Sequence, residues 1–155
     1  MGYDWSDSGI LALSALNVKM GYIDKNIDAH YGDNYLYNLW MKNTPLHKGQ
    51  VLMTTEAPAG NVAQIPDNSR YILSQRTIAF EIKEDIICDN FLAKILSSPN
   101  VQNQINDLST GGTAKGVSQR TLSEVTISYP VVLNEQHKIS KFISNIDNLI
   151  TLHQH

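Results

Sequence analysis

The sequence is poor in cysteine, in charge and in unbroken apolar runs, and each shortage removes a class of protein. One cysteine in 155 residues, Cys88, permits no internal disulfide and no multi-cysteine zinc site; a buried, unreactive thiol is the expectation. No stretch approaches the ~18 to 20 consecutive apolar residues that a membrane span requires, so a soluble chain is expected. The opening Met1-Gly2-Tyr3-Asp4-Trp5-Ser6-Asp7 lacks the basic start and apolar core of a secretory signal, which makes the cytoplasm the expected compartment. Twelve Lys and Arg stand against fifteen Asp and Glu, a net charge of −3. Proteins that grip nucleic acid by bulk electrostatics are usually basic. DNA binding would therefore need basic groups gathered on one face, or a partner that supplies most phosphate contacts.

Catalytic groupings are equally scarce. No Ser, His and Asp set suggests a hydrolase, and His153 and His155, two apart on a helix, point to different faces, so no metal and no cofactor is expected. There is no Asn-Pro-Pro-aromatic run of an amino-methyltransferase and no glycine-rich strand-turn-helix site for S-adenosylmethionine. Gly111-Gly112-Thr113-Ala114-Lys115-Gly116-Val117-Ser118 could bring backbone N–H groups close to an anion. It is not a nucleotide P-loop, because Gly116 is followed by Val117 and not by Lys and a hydroxyl residue.

One enzymatic reading stays open. Asp67, Glu81 and Lys83 mimic the PD-(D/E)xK nuclease pattern, in which two carboxylates hold a divalent metal and a Lys steadies the attacking water. Against it, Asp67 falls in the turn Pro66-Asp67-Asn68-Ser69, and Glu-x-Lys arises readily on the wet face of a strand.

What is present reads as an α+β domain with a small mixed sheet. Ile10 to Leu16 suggests a strand, with Tyr22-Ile23-Asp24 as its extended return. Asp28 to Lys48 has poor order and crowded aromatics, Tyr31, Tyr35, Tyr37 and Trp40, and is expected to be irregular; these rings suit packing better than base stacking. Gln50 to Thr55 and Asn61 to Ile65 form a candidate hairpin across Pro58 and Gly60. Tyr71 to Leu73 and Thr77 to Lys83 continue the sheet, the latter by its period of two.

The pattern then turns helical. Asp89 is a candidate N-cap for a helix carrying Phe91, Leu92, Ile95 and Leu96, and Ser98-Pro99 starts a second with Val101, Ile105 and Leu108 on one face. After the glycine loop come a helical turn at Ser118 to Leu122 and a strand at Val125 to Ser128, closed by Pro130. Asn134 is the expected cap of a last helix, Glu135 to His155, ~30 Å long at 1.5 Å per residue. Along it Ile139, Phe142, Ile146, Leu149 and His153 recur at alternating steps of three and four, a coiled-coil seam widened by Ile143 and Ile150. Such a protruding helix wants a partner helix. The expected division is a globular unit at 1–132 and the helix at 133–155.

In order along the chain, these parts resemble the specificity subunits of type I restriction-modification systems. The resemblance rests on Gly9-Ile10, Asn17 to Asp24, Leu46 to Leu52, Gly60-Asn61-Val62-Ala63, Ser74-Gln75-Arg76 and Asp89-Asn90-Phe91-Leu92. Most specific are Gly111 to Ser118, the stretch Ile127 to Pro130, and Glu135-Gln136-His137-Lys138-Ile139. It implies a non-enzymatic target-recognition domain that reads double-stranded DNA, carried on a helix that docks methyltransferase subunits, with restriction subunits a further possibility. Family members carry two such domains, so this chain resembles a half-subunit or a truncated form. Two copies joined through Ile139, Phe142, Ile143, Ile146, Leu149 and Ile150 would match half-sites about one helical turn (~34 Å) or a multiple apart.

Within that frame Lys115, Gln119 and Arg120, with the hydroxyls of Thr113 and Ser118, are the phosphate-positioning candidates. Base readout is expected from polar strand ends, namely Thr54, Thr55, Asn61, Gln75 and Arg76, because Arg suits guanine and Asn or Gln suits adenine. A coiled-coil interaction protein without DNA contact is the third functional class.

Overall fold

A computed structural model describes residues 4–111 and 115–154. The mixed sheet of the sequence reading is divided in three. A three-stranded sheet runs in the order β4 (His30–Gly32), β1 (Ile10–Leu13), β7 (Ile72–Leu73), with β1 antiparallel to β4 and parallel to β7. A second, antiparallel throughout, is β6 (Ala59–Gln64), β5 (Val51–Thr55), β8 (Thr77–Ala79). A short ribbon pairs β2 (Val18–Lys19) with β3 (Tyr22–Ile23).

Alternation of side chains about two central strands builds the layers. On β5, Val51 and Met53 face a core with Phe91, Leu92, Leu96, Val101 and Ile105, whereas Leu52 faces a second core shared with Leu11 and Leu13 of the other sheet and with Tyr71 just before β7. On β1, Ile10 and Ala12 face a third core with Leu36, Met41 and Ile72. Both strands are buried on both faces, which is why each reads as a continuous apolar run and not as an alternating one. The stack is thus helix, sheet, sheet, helix pair. Its outer layers are α1 (Asn34–Met41) on one side and α2 (Asp89–Leu96) with α3 (Pro99–Leu108) on the other.

Helix α1 corrects the expectation of an irregular 28–48 segment. Asp33 caps it, its carboxylate accepting from the Leu36 N–H at 2.8 Å. Only Leu36 and Met41 are buried, too sparse a pattern to announce a helix. The aromatics scatter: Tyr35 is exposed, Tyr37 lies under the Arg70 guanidinium at 5.1 Å, and Trp40 meets Trp5 edge-on at 6.1 Å.

Three smaller corrections concern the stretch 125–128, the strand through Lys83 and the start of α2. The expected strand Val125 to Ser128 is extended but joins no ladder: Gln104 Nε2 donates to the Thr126 carbonyl at 2.9 Å and Gln104 Oε1 accepts from its N–H at 2.9 Å. Val125 and Ile127 still turn inward onto the core that holds Phe91. The strand through Lys83 stops at Ala79, beyond which Gln50 Nε2 donates to Glu81 at 3.1 Å. The N-cap of α2 is Cys88, half-buried, with Asp89 the first helical residue.

Helix α5 (Leu133–His153) has Val132, not Asn134, at its N-cap. The side it turns to the domain is polar: Gln136 is fully buried, Ser140 is buried, and Ile143, Ser144, Asp147 and Thr151 line a groove of about 770 Å³ against α2. Lys94 of α2 donates to Asp147 at 2.8 Å. The apolar seam points the other way. Phe142 is 66% exposed, Leu149 56% and Ile150 50%, with Ile139 and Ile146 close to 40%. Ile143 leaves that seam for the groove. Among the described residues no helix is long and apolar enough to cross a membrane.

Candidate nucleic-acid interface

The glycine loop is stitched to one end of the β5 sheet. Gly116 and Thr110 exchange backbone hydrogen bonds at 3.0 and 2.9 Å, closing the loop, and the Val117 N–H donates to the Thr55 carbonyl at 2.8 Å. The Thr55 N–H in turn donates to the Arg76 carbonyl at 2.9 Å. Residues far apart in sequence are thereby gathered at one edge: Thr55 and Glu56 at the end of β5, Gln75 and Arg76 between β7 and β8, Lys115 within the loop, and Val117 to Arg120 after it. Lys115, Gln119 and Arg120 are all exposed, as are Gln75 and Arg76. Thr113 lies outside the described residues.

Three candidates are turned to internal duty. Thr54 is fully buried, its hydroxyl donating to the Pro58 carbonyl and accepting from the Asn61 N–H at 2.9 Å, so it cannot reach a base. Asn61 is half-buried and its Nδ2 donates to the Val18 carbonyl at 3.1 Å. Ser118 is the N-cap of α4 (Gln119–Leu122), its Oγ accepting from the Thr121 N–H at 3.1 Å in a capping box. These are polar residues satisfying backbone that would otherwise be orphaned.

The nuclease trio is employed separately. Asp67 accepts from Lys25 at 2.7 Å, from the Tyr71 hydroxyl at 2.8 Å and from the Ser69 N–H at 2.9 Å. The Lys25 hydrogen bond, then the Ser69 and Tyr71 donors, hold the Asp67 carboxyl well below its usual range, and the same pairing raises Lys25. The cation on Asp67 is thus Lys25 and not Lys83, while Glu81 accepts from Gln50. Among the described residues no three His, Cys, Asp or Glu side chains gather as a metal site. Elsewhere, burial pushes Asp89 upward against the opposing pull of His47, whose Nε2 is 3.5 Å away.

Sequence reasoning missed two residues. Among the described residues, Glu56 carries the one carboxylate that pairs with a candidate DNA contact, its Oε2 lying 3.7 Å from Arg76 Nε. Gln136, seen only as part of a motif, holds three backbone groups: its Nε2 donates to the Ile86 and Pro130 carbonyls, each at 2.8 Å, and its Oε1 accepts from the Cys88 N–H at 3.0 Å. No signal in the sequence marked it, because which side of α5 faces inward is set by packing on α2.

Residues 19–155 match the family described as type I restriction modification DNA specificity domain. The chain belongs to that family. The MjaIX type I restriction enzyme specificity subunit of Methanocaldococcus jannaschii is 32% identical over 103 residues, which are 66% of this chain and 23% of that protein. The crystal structure of a type I restriction-modification S subunit from M. genitalium superposes with a TM-score of 0.61 at 16% identity, covering 93% of this chain and 33% of that one. That likeness establishes a shared fold. The specificity domain described here therefore spans about a quarter to a third of the length of these two proteins.

Proposed function

We propose that this specificity domain reads one half-site of double-stranded DNA, in the cytoplasm, for methyltransferase subunits that perform the chemistry, with or without restriction subunits. Residues 1–132 would be the recognition unit and 133–155 the spacer. The observation that carries this reading is the single edge on which Lys115, Gln119 and Arg120 stand exposed beside Thr55, Gln75 and Arg76. Lys115 and Arg120 on this edge support the reading in spite of a net charge of −3, since local charge matters more than the total. Lys115 and Arg120 would hold phosphates, fixing register without reading sequence.

In the complex with methyltransferase subunits, Lys115→Ala with Arg120→Ala is expected to weaken binding to all duplexes alike. The slope of log affinity against log salt should flatten by roughly 0.9 per lost phosphate contact. A titration of labelled duplex at several salt concentrations reads this, and an unchanged slope would remove both residues from the interface.

The outward seam of α5 supports a helix partner, and we assign a second copy of this chain or the matching helix of another S half. A helix that buries its polar side and exposes Phe142, Ile146, Leu149 and Ile150 leaves its apolar surface unsatisfied. Phe142→Asp with Ile146→Asp is expected to turn a dimer into a monomer by light scattering, with thermal stability of the globular part within about 0.5 kcal/mol of the parent. A parent chain that stays monomeric at tens of micromolar would exclude self-pairing.

A further inference from the structure

We propose that Arg76 is the guanine-reading residue of this edge and that Glu56 is its positioning residue; the proposal rests on the DNA-reading function above. Arg76 occupies a turn that crosses between the two main sheets, since β7 belongs to one and β8 to the other. Both sides of the turn are tied down. The Ser74 N–H donates to the Leu13 carbonyl at 2.9 Å, the Ala15 N–H to the Gln75 carbonyl at 3.3 Å, and the Thr55 N–H to the Arg76 carbonyl at 2.9 Å. The Thr77 hydroxyl closes it on the Ser74 carbonyl at 2.7 Å. This is a rigid mount of the kind that precise recognition needs.

On that mount the backbone of Arg76 has φ +61°, a left-handed conformation in which every residue with a Cβ is strained. The side chain leaves the turn 54% exposed, and its Nε faces the Glu56 carboxylate at 3.7 Å. The contact is an ion pair longer than a hydrogen bond and lies on the Nε side, so it biases the guanidinium while leaving to DNA the two terminal nitrogens, the face that donates bidentately to guanine O6 and N7. The pair is also electrically neutral. A phosphate contact draws its strength from net positive charge, whereas Glu56 cancels that charge and repels the backbone. What the pair retains is direction, the property that base reading uses. The backbone of Glu56 bridges Gly116, next to Lys115. The segment that carries Lys115 and the turn that carries Arg76 are thus tied by backbone to the same strand end, β5.

The test is selection from a random duplex library by the full chain in complex with its methyltransferase subunits, followed by sequencing. The parent is expected to enrich a motif with one guanine whose preference Arg76→Lys lowers by roughly 5-fold or more, because an ammonium is a point donor without the planar fork, other positions being unchanged. Lysine keeps the charge and the same backbone strain, so folding is not at issue. Glu56→Ala should relax the same position while tightening binding to unrelated duplexes, because a repulsive charge is gone. An enriched motif left intact by Arg76→Lys would overturn the proposal alone. Equal weakening on every sequence with Arg76→Ala would make Arg76 a phosphate contact and overturn it as well. Absence of any enriched motif with the parent would overturn the DNA-reading function and this inference together.

Discussion

Replacing Gln136 with Ala is expected to destabilise the chain by about 3 kcal/mol, because three backbone groups lose their partner at once. Each buried donor or acceptor left unpaired costs ~1–3 kcal/mol, with partial rescue by water that enters the space vacated. The groups are the Cys88 N–H, where α2 begins, the Ile86 carbonyl and the Pro130 carbonyl. One amide therefore fastens the start of α5 to the segment that leads into α2 and to the chain that precedes α5 itself. Gln136→Glu should be no better, since a carboxylate cannot donate to two carbonyls and would carry a charge into a site with no solvent exposure. Urea unfolding of both variants, beside Gln119→Ala as an exposed control within about 0.5 kcal/mol of the parent, checks this. A loss under about 1 kcal/mol for Gln136→Ala would show that α5 is held by other means.

Gly9→Ala is expected to cost about 3 kcal/mol, and for two independent reasons. The backbone there has φ +130°, and a Cβ would sit 2.6 Å from the Gly32 carbonyl oxygen. That oxygen belongs to β4, which is locked in register with β1 from Ile10 opposite Gly32 onward, so it cannot swing aside as a side-chain tip could. Gly21 provides the contrast: φ is +90° but nothing lies within 4 Å of a Cβ built on it. Gly21→Ala should then lose only the conformational part, roughly 1–2 kcal/mol. Thermal unfolding of the two variants separates clash from strain, and equal losses would show that the contact with Gly32 relaxes freely.

Some of the fold was legible because local chemistry and burial agree. Pro99 after Ser98 starts α3, with Ser98 at the N-cap and Pro at the first turn. The β5–β6 hairpin follows from its apolar strands and the Pro58 and Gly60 break. Other elements were illegible because their partners lie far along the chain. Nothing near Thr126 reveals that Gln104 will serve it in place of a strand. Nothing near Asp33 outweighs the aromatic clutter of α1, whose burial is only two residues deep.

The candidate site divides in the same way. Lys115, Gln119 and Arg120 follow from a glycine loop that can present neighbouring side chains outward. Thr54 and Asn61 were drawn from strand ends by polarity alone, and polarity does not distinguish a hydroxyl offered to solvent from one spent on a hairpin carbonyl. Glu56 has no local signature, because its importance lies in Arg76, twenty residues downstream.

By itself the sequence determined the class, the family, the β5–β6 hairpin, the α2–α3 pair and the presence of an amphipathic terminal helix, since periodicity, turn residues and ordered motifs are local properties. Only the tertiary structure decided which way that helix faces, that the strands divide between stacked sheets, and that residues 55, 76 and 115–120 share an edge. Those outcomes depend on pairings between distant segments. A side chain's burial, its partner and its charge environment are set by whatever the rest of the chain brings to it.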